Sequence, residues 1–383
     1  MRRHAIVPRS GWQQRVERIG LTYHTLADGS PYWDESAYWE FTATEIDRVE
    51  AATAEIQRLA LEAGEHIIAN DRIAEMRIPA AAAERIRETW KTEPPALYGR
   101  LDLAFDGRTI KLLEYNADTP TALVEASVAQ WYWLKDVFPR ADQFNSLHEK
   151  LVAKWKDLIP YLRPPVCFGH DGSEEDSMTV GYLRDTAEQA GLRTISIRMN
   201  EIGWQAKGSR FVDLERKPIE SIFKLYPWEW LLKDRFAADL LATMDRMWWI
   251  EPIWKMLWSN KALLAVLWNL FPNHELLLPA YLDGPRKMQN YVRKPLVGRE
   301  GAGVTVFRNW AEDSAAAEAN AKDAQAADGH FVYQEMARMA QADGRTAVFG
   351  NWLIDGEPAG MGIRESDGLV TNNFSRFVPH LFR

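Results

Sequence analysis

One cysteine, Cys167, stands in 383 residues. A lone thiol cannot build an internal disulfide framework or a cysteine zinc cluster, and it fits a reducing compartment, so the expected location is the cytoplasm. Basic charge is not in excess either: 46 lysines and arginines face 54 aspartates and glutamates, a formal net charge of -8. That balance excludes a broad basic face for nucleic acid and weakly suits a cationic substrate. No apolar run reaches the length of a membrane span. The most apolar stretch, Met247 to Phe271, is interrupted by Glu251, Lys255, Asn260 and Lys261, and is expected as buried helix. The opening "MRRHAIVPRSGWQQR" has charge but neither the apolar run nor the small-residue cleavage site of a secretory leader, so none is expected.

What is present is a mixed pattern. "TEIDRVEAATAEIQRLALEAGEHII" repeats Ile46, Val49, Ile56, Leu59 and Ile67 near helical spacing, and Pro79 opens a second helix, "PAAAAERIRETW". Residues 1–97 therefore read as a helical part. From Tyr98 the period changes to two, and residues 98–160 read as a hairpin followed by helices. "PPVCFGH" and "TVGYLRDTAEQAGLRTISIRM" read as strand, helix, strand, an inserted small α/β unit over 161–230. Residues 231–383 begin helical and become strand-rich, with turn signals at Gly298 to Gly303 and at Asp355 and Gly356; "AEDSAAAEANAKDAQAADG" between them reads as a surface helix. The fold class is α/β (α+β), organised as one continuous catalytic unit.

The first hairpin, "YGRLDLAFDGRTIKLLEYNADTPT", carries unusual charge. Alternation sends Leu101, Leu103 and Phe105 one way and Arg100, Asp102 and Ala104 the other. In the returning strand Ile110, Leu112, Glu114 and Asn116 share a face, and a loop of odd length is expected to set that face beside Arg100 and Asp102. Arg100 then faces Glu114, with Asp102 diagonal to Glu114 at roughly 7–8 Å. Asp102, Glu114 and the Asn116 carbonyl are hard oxygen ligands of the kind magnesium takes when phosphates complete its shell. The alternative is a solvated ribbon face with an exposed ion pair.

"YVRKPLVGREGAGVTVF" sets Lys294 at a strand end, followed by Gly298, Gly301 and Gly303. This is not a Walker A loop, yet a glycine loop between strands can fold its N–H groups over phosphates, with Lys294 beside them. In "WSNKALLAVLWNLF", Ser259 is expected to cap a helix with Lys261 in its first turn, which is unfavourable unless an anion lies nearby. "FVYQEM" delivers Gln334 and Glu335 to the adenine and ribose edges, or to plain surface. Arg364, in "GMGIRES", offers the fork that binds a γ-phosphate, or a surface ion pair.

In order along nearly the whole chain, "YGRLDLAFD", "LLEYNADTPT", "EEDSMTVGYLRD", "SNKALLAVLW", "YVRKPLVGREG", "VYQEM", "GNWLIDGEPAGMGIRES" and "TNNFSRFVPH" resemble the glutathionylspermidine synthase family. The resemblance implies an ATP-grasp fold in which the metal ligands precede the nucleotide lysines, as if circularly permuted. It implies that Asp102, Glu114 and Asn116 hold Mg2+, that Arg100 contacts the transferring phosphate, that Lys261 and Lys294 bind ATP, and that Arg364 is a further phosphate ligand. Thr119 and Thr121 match hydroxyls that contact a peptide substrate, although serines are expected there in the bifunctional members. Glu174, Glu175 and Asp176 fall where substrate amines are held; the alternative is a solvated acidic loop. The bifunctional members carry an N-terminal cysteine amidase that these residues do not match, so the expected kinship is with amidase-free relatives. The implied chemistry is ATP-dependent joining of a small-molecule acid and an amine through an acyl phosphate, without nucleic acid or membrane partners. Two other classes stay open: an ATP-binding protein without ligase activity, and a carbohydrate-active protein using Asp102 and Glu114 as its carboxylate pair.

Overall fold

The computed structural model describes residues 1–299, 301–313, 329–372 and 375–383. The reading of a surface helix over 311–329 falls mainly on 314–328 and so lies outside the described residues; Ala311–Glu312 before it is a short strand.

Thr42 opens the long helix Ala43–Ala69. Its hydroxyl accepts from the Glu45 N–H at 3.2 Å while the Glu45 carboxylate accepts from the Thr42 N–H at 3.0 Å, so two otherwise orphaned donors are satisfied. Ile46, Val49, Ile56, Leu59 and Ile67 are buried as their spacing requires. Pro79 precedes the helix Ala80–Thr92. The first hundred residues are less purely helical than expected, because Arg2–Ala5 and Ala37–Phe41 are strands. Ala37–Phe41 also pairs, in parallel, with His380–Phe382.

Three larger sheets build the rest. An antiparallel sheet runs in the spatial order Arg376–Val378, Glu357–Ser366, Arg345–Ile354, Tyr98–Phe105, Ile110–Asn116. Asp355 and Gly356 join its long hairpin with φ of 54° and 77°, the left-handed pair a two-residue hairpin turn demands. A parallel sheet of Val166–His170, Thr194–Arg198, Ser221–Leu225 and Trp248–Ile250, with helix Glu174–Gln189, forms the small α/β unit. A third sheet centres on Tyr291–Pro295, between Phe331–Glu335 and Thr305–Arg308. No helix among the described residues is long and apolar enough to cross a membrane.

The stretch from Met247 to Phe271 is not the continuous buried helix its composition suggests. Trp248–Ile250 is a strand beside Ser221–Leu225, Pro252 closes it, and helix resumes as Met256–Ser259 and Ala262–Leu270. Aromatic and branched residues fit the pleated edge of an existing sheet, an outcome set by tertiary context that helical spacing cannot show. The next residue, Glu251, turns its buried carboxylate to the Leu97 and Tyr98 N–H groups at 2.9 and 3.1 Å, fastening the parallel sheet to the start of the charged hairpin.

A second fastening lies at the other end of that hairpin. Lys224, fully buried in the parallel sheet, bonds Asp118 Oδ1 at 2.5 Å, and Asp118 Oδ2 accepts from the Trp228 N–H at 3.0 Å. Removing the cation alone would strand a buried carboxylate. Lys224→Met is therefore expected to lower the unfolding free energy by about 3–5 kcal/mol in urea titrations; a loss under about 1 kcal/mol would show that Asp118 does not depend on it.

Candidate functional site

The hairpin reaches its polar arrangement by a route different from the expected one. Its loop, Asp106 to Thr109, has four residues, tightened by the Asp106 carboxylate accepting from the Arg108 and Thr109 N–H groups at 2.8 and 2.6 Å. An even loop pairs Phe105 with Ile110 and Leu103 with Leu112, which puts all four on the apolar face. A β-bulge between Asp102 and Leu103 then leaves Leu113 as the extra residue and inverts the alternation. Asp102 faces Glu114 directly and Arg100 faces Asn116, correcting the expected Arg100–Glu114 pairing and the diagonal placement of Asp102.

Nor is this a solvated face. Arg100 and Asp102 are both under a tenth exposed, because Arg345–Ile354 covers the edge of Tyr98–Phe105. Arg100 holds Asp102 with two bonds, at 2.7 and 3.1 Å, and donates to the Thr121 carbonyl at 2.8 Å. Lys261 lies 3.3 Å from Glu114 and donates to the Gly298 carbonyl at 2.8 Å. Asn116 Nδ2 donates to Glu114 at 3.0 Å and, more weakly, to Asp102 at 3.5 Å.

Lysines reach this strand from two directions. Lys294 donates to the Leu113 carbonyl at the bulge and to Gln334 Oε1, at 2.8 and 2.7 Å, while Gln334 donates to the Leu112 carbonyl at 2.9 Å. Lys261 is a buried residue at the start of Ala262–Leu270, not a solvated one; Asn260 takes the capping role expected of Ser259, accepting from the Ala262 N–H at 2.9 Å. The Ser259 hydroxyl is instead turned to the N–H groups of Ala117 and Asp118. Burial works against charge on Glu114, but Lys261 and Lys294 outweigh it and hold the carboxyl down at about 2. Burial lowers Lys294 to about 8 against the pull of Glu114.

These groups line one cleft with two chemically distinct ends. At the apolar end Val292, Val306, Met336, Met339 and Val348 line a pocket of about 100 Å³ whose wall also includes Lys294, Gln334 and Glu335. Gln334 is buried there and Glu335 is exposed. At the polar end, of about 80 Å³, lie Arg100, Asn116, Thr119, Thr121, Gly298 and Arg364. Asp102, Glu114, Gly301 and Thr371 line both. Gly301 permits this closeness: at φ 74°, a Cβ on it would come within 2.5 Å of the Thr371 carbonyl. Gly303, at φ 69°, turns the chain back toward Pro295 without lining the cleft.

The acidic run is placed elsewhere than in a loop. Ser173 caps the helix Glu174–Gln189, and Glu174, Glu175 and Asp176 form its first turn, where negative charge is favourable. None of the three lines the cleft walls, but Asp176 feels Arg299, which does. Burial raises the Asp176 carboxyl to about 7 against that attraction. Arg299, Asp118 and Glu229 are cleft residues that the sequence reading passed over. Arg299 sits inside the glycine loop and reaches the Thr119 carbonyl at 3.2 Å, and Asp118 follows "EYNA", so both were within motifs already noted. Glu229, on a one-turn helix of the α/β unit, had no local signal.

Among the described residues no three His, Cys, Asp or Glu side chains gather as a freestanding metal cage. Two carboxylates and an amide suit a cation that arrives with most of its own ligands, as magnesium does on a triphosphate. Lys261, Lys294, Arg100 and Arg364 around them suit the anion.

The family model described as "Glutathionylspermidine synthase preATP-grasp" matches residues 3–383. A protein of Haemophilus influenzae named as an acid–amine ligase is 38% identical over 379 residues, covering 96% of each chain. The trypanothione synthetase of Crithidia fasciculata is 28% identical over 83% of this chain and 52% of its own length. The bifunctional glutathionylspermidine synthetase/amidase of Escherichia coli is 26% identical over 90% of this chain and 60% of its own. The chain thus spans nearly all of the first relative and between half and two thirds of the other two. A glutathione synthetase-like effector from Globodera pallida shares the fold, with a TM-score of 0.57 at 10% identity over 97% of this chain and 96% of its own.

Lys294 bridges the bulge and Gln334 in the wall of the apolar end, where it feels the Glu114 carboxylate, so its loss should be felt by a nucleotide. Lys294→Ala is expected to weaken ATP binding by about 30-fold or more, some 2 kcal/mol, in titration calorimetry; affinity equal to the parent's would remove Lys294 from the nucleotide site.

Proposed function

This chain belongs to the glutathionylspermidine synthase family, and we propose that it is an ATP-dependent ligase joining a peptide-like acid to a di- or polyamine through an acyl phosphate. The observation that carries the reading is the alternation of sign along one buried cleft wall: Arg100 against Asp102, Lys261 against Glu114. A magnesium triphosphate offers each set its own counterion, the metal to the carboxylates and the phosphates to the lysines and arginines.

In this reading the adenine occupies the apolar end, with Gln334 and Glu335 at its polar edges. Lys261 and Lys294 bind phosphates beneath the glycine loop, Gly298 to Gly303. Asp102, Glu114 and Asn116 hold Mg2+, which supplies charge neutralisation at the phosphates. Arg100 and Arg364, both at the polar end, stabilise the charge on the phosphoryl group as it passes to the substrate carboxylate. Thr119 and Thr121 contact the acid, and Glu174, Glu175 and Asp176 attract the amine. No protein nucleophile is needed. The fold is read as a permuted ATP-grasp because the metal ligands near Asp102 precede the lysines. The buried, unpaired Cys167 fits a cytoplasmic setting. A glycosidase role for Asp102 and Glu114 is disfavoured, since it needs one carboxyl that stays protonated, whereas Glu114 is held down by two lysines and Asp102 is bonded twice by Arg100.

The test incubates the protein with ATP, magnesium and pools of acids and amines, follows phosphate release and identifies amides by mass. Release that requires both an acid and an amine is expected, and Glu114→Gln should reduce it about a hundredfold. Phosphate release with no organic substrate, or no ADP from any pool, would leave an ATP-binding protein without ligase activity.

A further inference from the structure

Glu125 is only 1% exposed, and among the described residues no donor meets either carboxylate oxygen in good hydrogen-bond geometry, although the Tyr32 hydroxyl lies close enough to act on it. Such a group is costly in either protonation state, and buried carboxyls left this way mark places where a proton or a ligand completes the site. Three carboxylates of the cleft are already committed: Asp102 to Arg100, Glu114 to Lys261, Asp118 to Lys224. Glu125, behind the cleft lining, makes no ion pair of that kind among the described residues.

Its position is set by an unusual piece of backbone. Residues Glu125–Ala129 form a π-helical turn leading into the helix Gln130–Val137, and such turns re-aim side chains at functional sites. The turn follows directly on Thr119, Thr121 and the left-handed Ala122, at φ 70°. It is pressed against the strand Glu357–Ser366 at Gly362, where a Cβ would stand 3.2 Å from Ala126 Cβ. Two residues further on the same face of that strand is Arg364, whose Nε is also without a partner. The charged and titratable groups that act on Glu125 come from three elements: Glu175 from the acidic helix turn, Arg364 from the strand, and the Tyr32 hydroxyl from the N-terminal segment. Burial raises the Glu125 carboxyl to about 7, with Glu175 pushing the same way and Tyr32 and Arg364 opposing. The charges that act on it are thus one of the residues read as holding the amine and an arginine read as holding the phosphoryl group, the latter two residues along the strand from the Gly362 contact.

We propose that Glu125 is the acceptor of the proton that the attacking ammonium must release. This rests on the ligase reading above and adds to it the base of the second half-reaction. The substrate ammonium gives one proton to the Glu125 carboxylate and becomes a neutral amine. Its lone pair attacks the acyl carbon, and the bond from that carbon to the phosphate oxygen breaks. Phosphate departs with the electron pair and takes the second nitrogen-bound proton. Glu125 returns its proton to solvent as products leave, so one acyl phosphate and one ammonium yield one amide, one hydrogen phosphate and one proton.

Hydroxylamine, uncharged at neutral pH, separates this role from any other. With ATP, magnesium and the acid found by the pooled assay, the parent should form a hydroxamate with hydroxylamine and an amide with the amine. Glu125→Gln should lose amide formation by roughly a hundredfold while hydroxamate formation stays within about threefold. Raising the pH should restore part of the amide rate, because bulk solvent then removes the proton. Glu125→Asp, which keeps a base, should fall between the two. Amide formation at the parental rate in Glu125→Gln would overturn the proposal. So would equal loss of both products in Glu125→Gln and Glu125→Asp, which marks a structural role. A parent that forms neither hydroxamate nor amide would instead reject the ligase reading, and the base with it.

Discussion

Charge buried without water has to be answered by charge of the opposite sign, and the hairpin of residues 98–118 is built around that requirement. Arg100, Asp102, Glu114 and Asp118 lie within a few residues of one another, largely withdrawn from solvent. Isolated in an apolar interior, any of them would cost several kcal/mol. Each is matched by a partner, and the partners come from different parts of the chain: Lys261 from the start of an apolar helix, Lys224 from the parallel sheet, Arg100 from the same strand. The two lysine contacts therefore tie two other parts of the molecule to a single ribbon. Neutrality and architecture are set by the same contacts.

The bulge at Leu113 is what allows this. Below it, Leu103, Phe105, Ile110 and Leu112 need to share a face to join the core; above it, Asp102 and Glu114 need to share one to face the cleft. A strand of strict period two cannot satisfy both with a four-residue loop. One extra residue resolves the conflict, and the carbonyls beside it become acceptors for Lys294 and Gln334. The irregularity in the ladder is thus also the joint at which the third sheet meets the hairpin.

Much of the site could be read from residue types, and much less from their partners. Carboxylates and an amide on neighbouring strands, glycines between two others and an arginine on a long hairpin are local signals, and the fold brings them to one cleft. Register depends on a bulge that leaves no mark in "KLLEYN", so Asp102 and Glu114 come out opposite rather than diagonal. Trp248 and Trp249 fall in the apolar stretch expected as helix yet form a strand, because a neighbouring strand supplies an edge that the window of sequence does not contain. Ser259 and Lys261 differ from expectation for a similar reason: Asn260 competes for the cap, and the Ser259 hydroxyl finds backbone donors far along the chain. Glu125 is the extreme case, a glutamate in an apolar helical pattern with nothing beside it in sequence to signal that its carboxylate goes unsolvated.

The small sheet in which Ala37–Phe41 runs between Arg2–Ala5 and His380–Phe382 has a consequence for how the molecule comes into being. His380, the register partner of Trp39, is synthesised long after it, so this sheet cannot close until both strands have left the ribosome. Until then Ala37–Phe41 has one edge without a partner, and the contact that finally covers it spans almost the whole chain, the kind that forms slowly. Closure of this sheet is therefore a late event, and a chain stalled before His380–Phe382 emerges holds the whole hairpin of residues 98–118 together with an open strand for chaperones to guard.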